Sequence, residues 1–206
     1  MKFPLATAAA LLTLSSCQFS SVTPDLDHDT PAEVAQPAAT GFQEGDLLFQ
    51  DLNCGDLCDA IESVTEGVDG KDFSHCAMVV AVGDSLAIVE AIGSEVQLTS
   101  VANFYRRSND TAEVKRITVG RLTPSYSALI PAAAAFAKSQ VGAPYDDIYA
   151  MDNGKWYCSE LLHDSFKSAN NGKGIFELSP MTFKAPQSEE FFPAWVDYFA
   201  EFGEEI

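Results

Sequence analysis

Residues 155–162 have the sequence Lys155-Trp156-Tyr157-Cys158-Ser159-Glu160-Leu161-Leu162, in which a cysteine opens an amphipathic helical run directly after the loop-like Asp152-Asn153-Gly154. The N-terminal end of a helix carries a partial positive charge that stabilises a thiolate relative to a thiol. A histidine partner lowers the pKa of a cysteine further from its free value of about 8.5. Cys158 is therefore a candidate nucleophile whose partner lies elsewhere in the chain. The alternative is an unreactive cysteine that serves as a small core residue.

Three histidines are available as partners. His28 lies in a polar segment with prolines and is predicted to be a solvated linker residue. His163 follows Cys158 by about 1.4 turns of helix at ~3.6 residues per turn, so it faces another side and is predicted to be structural or on the surface. His75 remains. It lies in the apolar run at residues 73–82, whose length and β-branched content predict a buried strand.

A second apolar run follows Gly83-Asp84, a dipeptide typical of a hairpin turn between strands. If Val82 pairs with Ser85, Glu90 lies on the same face as His75, diagonal to it at roughly 7–8 Å between backbones. Burying a carboxylate in an apolar strand costs free energy unless the carboxylate has a partner. Glu90 has such a partner if it orients the imidazole of His75, the base that serves the Cys158 thiol. The sequence therefore predicts a nucleophile, a general base and an orienting carboxylate. The alternatives are that His75 is a packing residue and that Glu90 lies at a solvated strand end.

These residues and their order resemble the papain-like NlpC-type cysteine hydrolases. The similarity is to the circularly permuted branch that contains YiiX/YebB-like proteins and, more distantly, lecithin:retinol acyltransferase. In unpermuted members the cysteine helix precedes the histidine strand, whereas here the order is His75, Glu90, Cys158. The matching motifs span almost all of residues 42–206: Gly45-Asp46-Leu47-Leu48-Phe49, Ser74-His75, Gly142-Ala143-Pro144-Tyr145-Asp146 and Tyr157-Cys158-Ser159-Glu160-Leu161.

The resemblance implies a fold, a reaction and further site residues. The expected fold is α+β and permuted papain-like (NlpC-like), with an antiparallel sheet packed against the helix that carries the nucleophilic cysteine. Tyr145 and Tyr157 are expected to steady an oxyanion or to position the substrate, although a turn tyrosine packed on the core is the alternative for Tyr145. The backbone N–H of Cys158 is a further donor, because the first amides of a helix have no intrahelical partner.

The N-terminal residues predict export. Lys2 precedes an apolar run at residues 5–12 that is too short to span a membrane at ~20 residues and is typical of a signal peptide. Leu14-Ser15-Ser16-Cys17 resembles a lipobox, so residues 1–17 are predicted to be a lipoprotein signal peptide ending at Cys17, the lipidated residue. A signal peptide with an incidental cysteine is the alternative. Gln18, directly after the cysteine, resembles the residue at this position in lipoproteins sorted to the outer membrane. This predicts a lipid anchor on the periplasmic side of that membrane.

The rest of the chain divides into a tether and one domain. Residues 18–41 are rich in Ser, Thr, Pro, Ala and Asp and predict a flexible tether. Residues 42–206 are long enough for one domain with a substantial core. Periodicity and capping signals predict strands near residues 46–50, 73–82, 86–92, 95–98 and 114–122 and helices near residues 57–65, 128–140, 158–169 and 194–202.

The other cysteines suggest a disulfide rather than a metal site. Cys54 and Cys58 are four residues apart around the start of a predicted helix, where one turn brings them close together. A local disulfide is expected in an exported protein, with two free thiols as the alternative. Two cysteines without a nearby histidine supply too few metal ligands, so neither a metal nor a cofactor is predicted. Cys76 alternates to the face opposite His75 and is predicted to be in the core.

Composition narrows the range of partners. Thirty acidic and twelve basic residues give a net charge of −18, and the sequence pI is about 4.2. This is the reverse of a nucleic-acid-binding protein, so no nucleic-acid partner is predicted. Cationic substrates such as amino-containing cell-wall peptides suit such a surface better than anionic lipid head groups.

The sequence thus predicts an envelope cysteine hydrolase that cleaves an amide, with peptidoglycan stem peptides expected by family analogy. The alternatives are a lipid acyltransferase or thioesterase-like enzyme, and a non-catalytic lipoprotein that binds a ligand in its cleft.

Overall fold

The computed structural model describes residues 41–206 apart from residues 66, 109–116 and 186. The predicted signal peptide, the lipidation site Cys17, His28 and the tether as far as residue 40 lie outside the described residues, as does the start of the strand predicted at residues 114–122. In the described part of the chain, no helix has both the length and the apolar character needed to cross a membrane.

Within the described residues, five strands form one antiparallel sheet in the order β4-β3-β2-β1-β5. They are β1 (Leu47–Gln50), β2 (His75–Val82), β3 (Ser85–Ile92), β4 (Glu95–Thr99) and β5 (Ile117–Gly120). The hairpin register is as predicted, because Val82 pairs with Ser85, and this register brings Glu90 next to His75. Gly83 has φ 59°, a left-handed conformation that a two-residue hairpin turn requires.

The residues that the structure describes contain five α-helices. They are α1 (Asp56–Val64), α2 (Val101–Arg106), α3 (Ile130–Ser139), α4 (Cys158–Ala169) and α5 (Pro193–Glu201). The predicted helices are confirmed with ends shifted by at most about two residues, the usual uncertainty of a helix boundary. Helix α2 was not predicted, because six residues are too few for a helical period to emerge from the sequence.

The sheet has helices on both faces. Helices α3 and α4 pack on the face that carries Met78 and Val80, and they bury Leu161 and Phe166 there. Helix α2 covers part of the opposite face, where Phe104 packs with the alternate residues of the same strands. The α+β fold with the cysteine helix against an antiparallel sheet is therefore confirmed.

The Gly45-Asp46 motif closes the core next to β1. Gly45 has φ 89°, and a Cβ there would lie 2.5 Å from the Ile130 side chain, so glycine is needed at this position. The buried Asp46 carboxylate accepts hydrogen bonds from Arg121 Nε and Nη2, both at 2.7 Å, and from the Gln43 N–H at 3.0 Å. The motif thus anchors the start of the domain to the segment that follows β5.

A third cluster joins the two helices farthest apart in sequence. Ala60 of α1 packs with Trp195 and Phe199 of α5. A disulfide joins Cys54 to Cys58 where the chain enters α1, with the Cα atoms 5.2 Å apart. It ties the segment just before α1 to the first turn of that helix.

Candidate active site

Cys158 is the first residue of α4. Tyr157 before it is extended, with φ −99° and ψ 168°, so the helix begins abruptly at the cysteine. The preceding loop turns through Asp152 and Gly154, which have φ 62° and 78°. Glu160 connects this loop to the helix, because its Oε1 accepts the Asp152 N–H at 3.1 Å. The Cys158 side chain remains partly exposed, while most of the next two turns are buried.

His75 and Glu90 form a buried pair on the two central strands. His75 Nε2 lies 2.8 Å from Glu90 Oε2, and the residues are 5% and 0% exposed. The Glu90 oxygen takes the Nε2 nitrogen of the ring. The ring also interacts with the Cys158 side chain, and this interaction raises the pKa of His75. The structure therefore brings together all three residues of the predicted triad.

The electrostatics favour an ion pair between Cys158 and His75. Burial lowers the pKa of His75, but hydrogen bonds with Cys158 and Glu90 outweigh burial and raise that pKa to about 9. The pKa of Cys158 lies well below its ordinary value. The main cause is a hydrogen bond from the Cys76 thiol, and His75 contributes a second hydrogen bond. Together these two interactions outweigh burial, which raises the pKa of Cys158. Both shifts favour the ion pair of thiolate and imidazolium over the neutral pair of groups.

Cys76 contributes more to the site than sequence alternation indicates. It lies in the core as predicted, 8% exposed and on the face opposite His75. Helix α4 packs on that face, so the Cys76 thiol contacts Cys158 and donates a hydrogen bond to it. This contact and burial raise the pKa of Cys76 well above its ordinary value, so Cys76 remains a thiol while Cys158 is a thiolate.

Arg107 is a site residue that sequence reasoning missed. Its Nη2 lies 2.6 Å from Glu90 Oε1 and 2.7 Å from Oε2. Burial raises the pKa of Glu90, but the hydrogen bond with His75 and further contacts with Thr99 and Arg107 lower it overall. Arg107 follows the unpredicted helix α2 directly, so no periodic pattern drew attention to it.

The two predicted tyrosines lie near the nucleophile. The Tyr145 N–H donates to Ser94 O at 2.9 Å, and its ring packs edge-on against Tyr149 with centroids 6.5 Å apart. Burial and the negative charge of Cys158 raise the pKa of Tyr145, so its hydroxyl keeps its proton. Burial raises the pKa of Tyr157 to about 12. Both hydroxyls are therefore available as hydrogen-bond donors at neutral pH.

His163 is buried rather than on the surface. It is 7% exposed on α4, and its Nε2 lies 3.9 Å from Asp164 Oδ1, which is too long for a hydrogen bond. The prediction that it is structural, rather than a partner of the thiol, agrees with this position. Among the residues that the structure describes, no group of three or more His, Cys, Asp and Glu side chains could hold a metal ion.

Comparisons with known proteins agree with this geometry. Residues 41–202 match the model of a family described as permuted papain-like amidase enzyme, YaeF/YiiX, C92 family. The uncharacterized protein YiiX of Escherichia coli (strain K12) is 27% identical over 139 residues, which cover 68% of this chain and 62% of that protein. This chain therefore spans less than two thirds of that relative's length.

A solved structure is also similar. It is titled as the crystal structure of metalloprotein yiiX from Escherichia coli O157:H7. The sequence identity is 25% and the TM-score is 0.50, over 63% of this chain and 67% of that one. The side chains described in this chain do not form a cluster that could hold a metal ion.

Proposed function

Because this chain belongs to the permuted papain-like amidase family, we propose that it hydrolyses an amide through an acyl-enzyme on Cys158. The observation that carries this proposal is the buried His75–Glu90 pair in contact with the thiol. In this arrangement Cys158 is the nucleophile, His75 the general acid and base, and Glu90 the residue that fixes the ring.

Each proton in the reaction has a donor and an acceptor. The Cys158 thiolate attacks the carbonyl carbon, a C–S bond forms and the carbonyl oxygen becomes an oxyanion. When this intermediate collapses, the C–N bond breaks and the His75 imidazolium gives its proton to the leaving amine. His75 then takes a proton from water, which attacks the thioester. The second collapse releases a carboxylic acid and restores the ion pair.

The oxyanion has candidate donors on two sides. The Cys158 N–H lies at the first turn of α4, where amides have no intrahelical partner. The Tyr145 hydroxyl stays protonated close to the Cys158 charge. Donors aimed at a developing oxyanion typically contribute about 3 kcal/mol each. Tyr157 stands next to the nucleophile and is proposed to position the substrate.

We further propose that the enzyme acts in the bacterial envelope, anchored by lipid at Cys17, on peptidoglycan stem peptides. The lipobox-like Leu14-Ser15-Ser16-Cys17 and the tether at residues 18–41 support an anchor that reaches the wall. The net charge of −18 suits substrates that carry amino groups. Metabolic labelling with a palmitate analogue tests the anchor, and the label must disappear in Cys17→Ala.

Digestion of purified peptidoglycan tests the substrate. Residues 42–206 are expected to release defined fragments with new amino and carboxyl ends, identified by mass spectrometry. Cys158→Ala should release none. Ser168→Ala, an exposed change near the end of the same helix, should match the unmodified protein. If the unmodified protein releases no fragments while its thiol reacts normally, the wall-peptide substrate is wrong.

A second candidate function is acyl transfer or hydrolysis on a lipid. A mostly apolar cavity next to the nucleophile favours it. A fatty-acyl thioester trapped on Cys158 after incubation with envelope lipids would identify this activity.

A further inference from the structure

A cavity of about 640 Å³ lies next to the candidate nucleophile. Its lining includes Tyr157 and Ser159, which flank Cys158, and Cys76, whose thiol contacts the Cys158 sulfur. A group bonded to that sulfur can therefore extend directly into the cavity. The volume falls within the range of roughly 300–1,000 Å³ that is typical of small-molecule sites.

The cavity walls are mostly apolar and come from separate parts of the chain. Leu47 and Phe49 of β1 and Leu162 of α4 contribute apolar side chains. Further apolar lining residues come from the segment at residues 176–183, namely Phe176, Leu178, Pro180, Met181 and Phe183. Apolar walls from the sheet, the cysteine helix and a long loop suit a ligand that is itself apolar.

The rim of the cavity is apolar as well. Leu178 is 57% exposed, and Met181 and Met151 are 38% and 36% exposed. Large apolar side chains clustered at an opening are typical of a binding site rather than of ordinary surface. An apolar chain that enters the cavity would cover these side chains.

The charges in the lining exclude anions. Glu160 and Glu177 line the cavity, and no lysine or arginine is among its described lining residues. Burial raises the pKa of Glu160 to about 7, so this carboxyl is partly neutral near pH 7. The described lining therefore offers no lysine or arginine to balance the charge of a negatively charged ligand.

We propose that this cavity binds the uncharged hydrocarbon chain of the acyl group that is transferred to Cys158, as in a fatty amide or ester. The inference rests on the proposed acyl-enzyme at Cys158 but not on the wall-peptide substrate. If it is correct, the acyl donor is lipid-like, and the second candidate function takes precedence over peptidoglycan cleavage.

Chloromethyl ketones of increasing chain length test the cavity. The thiolate bonds to the methylene carbon and chloride leaves, so the alkyl chain occupies the position of the acyl chain. Chloroacetone is the short reference, and 1-chloro-2-decanone carries the hydrocarbon chain, used below its aggregation limit. The second-order rate of Cys158 labelling should be at least about tenfold higher for the long chain, since each buried methylene is favourable.

Two matched variants locate the effect. Leu178→Asp places a carboxylate on the rim and should abolish most of the chain-length gain while the chloroacetone rate stays the same. Leu98→Asp makes the same change at another exposed leucine, 43% exposed on β4, and should keep the full gain. An equal gain in both variants would show that the chain binds elsewhere and would overturn the inference.

Further probes distinguish a failure of the cavity assignment from a failure of the proposed function. If iodoacetamide labels Cys158 rapidly but chain length has no effect, the cavity assignment is wrong and the nucleophile stands. If neither reagent reacts below pH 7, the proposed function itself fails. A rate gain confined to reagents whose chains end in an amine or a carboxylate would also overturn the hydrocarbon assignment. If only the amine-ended chains gave the gain, a peptide substrate would be favoured again.

Discussion

The sulfur of Cys158 can hold a negative charge at neutral pH because the Cys76 thiol and the His75 ring both face it. The ring carries the compensating positive charge, since its pKa of about 9 is above that of the thiol. Between the two pKa values, thiolate and imidazolium coexist. Below the lower value the thiol is neutral, and above about pH 9 the ring loses the proton that a leaving amine requires.

Removal of the ring should therefore return Cys158 toward ordinary thiol behaviour. In His75→Ala, iodoacetamide labelling of Cys158 at pH 6 should fall at least about tenfold, because a rise of one pKa unit reduces the thiolate fraction tenfold. Peptide mass spectrometry over pH 5–10 measures this rate. Ser168→Ala, an exposed change on the same helix, should retain the original profile. Identical profiles for His75→Ala and the unmodified protein would disprove the ion pair.

Glu90 should control the proton on His75. Its carboxylate stabilises the imidazolium, and without it the burial of the ring favours the neutral form. In Glu90→Gln the ring should titrate at least about one unit below its original pKa of about 9. NMR titration of the histidine ring protons measures this shift, with His75→Ala to assign the signal. Glu177→Gln, an exposed control, should leave the titration unchanged, and no shift in Glu90→Gln would contradict the orienting role.

The central residues of the site can be deduced from the sequence, but their supporting contacts cannot. Few histidines and a fixed hairpin register are enough to select His75 and Glu90. Arg107 reaches Glu90 only because α2 folds over the sheet. Cys76 contacts Cys158 only because α4 packs on the face opposite His75. Both contacts depend on tertiary packing, which a local pattern does not encode.

At the scale of elements, α4 connects the hydrophobic core to the candidate nucleophile. Its first residue is Cys158, while Leu161 and Phe166 are fully buried against the sheet and α3. The position of the sulfur relative to β2 therefore depends on packing along the helix. The predicted bounds of α4 were correct because an amphipathic run after a loop is a strong helix signal. Helix α2 was missed because a cap at Ser100, which accepts the Asn103 N–H at 3.2 Å, gives little indication of a six-residue helix.

Truncating a buried side chain of α4 should lower the stability of the fold but leave the reactivity of Cys158 unchanged. Phe166 is 0% exposed and packs edge-on against Phe176, with centroids 5.5 Å apart. Phe166→Ala should lower the free energy of unfolding by about 3–5 kcal/mol, through lost burial and the cavity left behind. Lys167→Ala, on the surface of the same helix, should change it by about 0.5 kcal/mol or less.

Urea denaturation measures both changes, and labelling of Cys158 is compared under conditions where each variant is fully folded. The rate at pH 6 should be unchanged in Phe166→Ala, since the thiolate depends on Cys76 and His75. Equal losses of stability in the two variants would show that α4 is not held by this core.

At the scale of the whole molecule, acidic residues outnumber basic ones by thirty to twelve. Few of these charges are paired among the described residues, and the buried acids Asp46 and Glu90 already take up Arg121 and Arg107. The remaining negative charges repel one another in the folded state, whereas the expanded unfolded chain separates them. Composition predicts this property directly, because net charge does not depend on how the chain folds.

Salt should therefore stabilise this protein. Raising NaCl from 10 to 200 mM at pH 8 shortens the screening length from about 30 to about 7 Å, which weakens the repulsion between exposed carboxylates. We expect a gain of about 1 kcal/mol, equivalent to a rise in Tm of roughly 2–4 °C for a domain of this size. Thermal unfolding of residues 42–206 measures it. At the sequence pI of about 4.2, the net charge is close to zero, so the same salt step should have little effect. A fall in Tm at pH 8 would mean that salt disrupts favourable ion pairs such as Asp46–Arg121 more than it relieves repulsion.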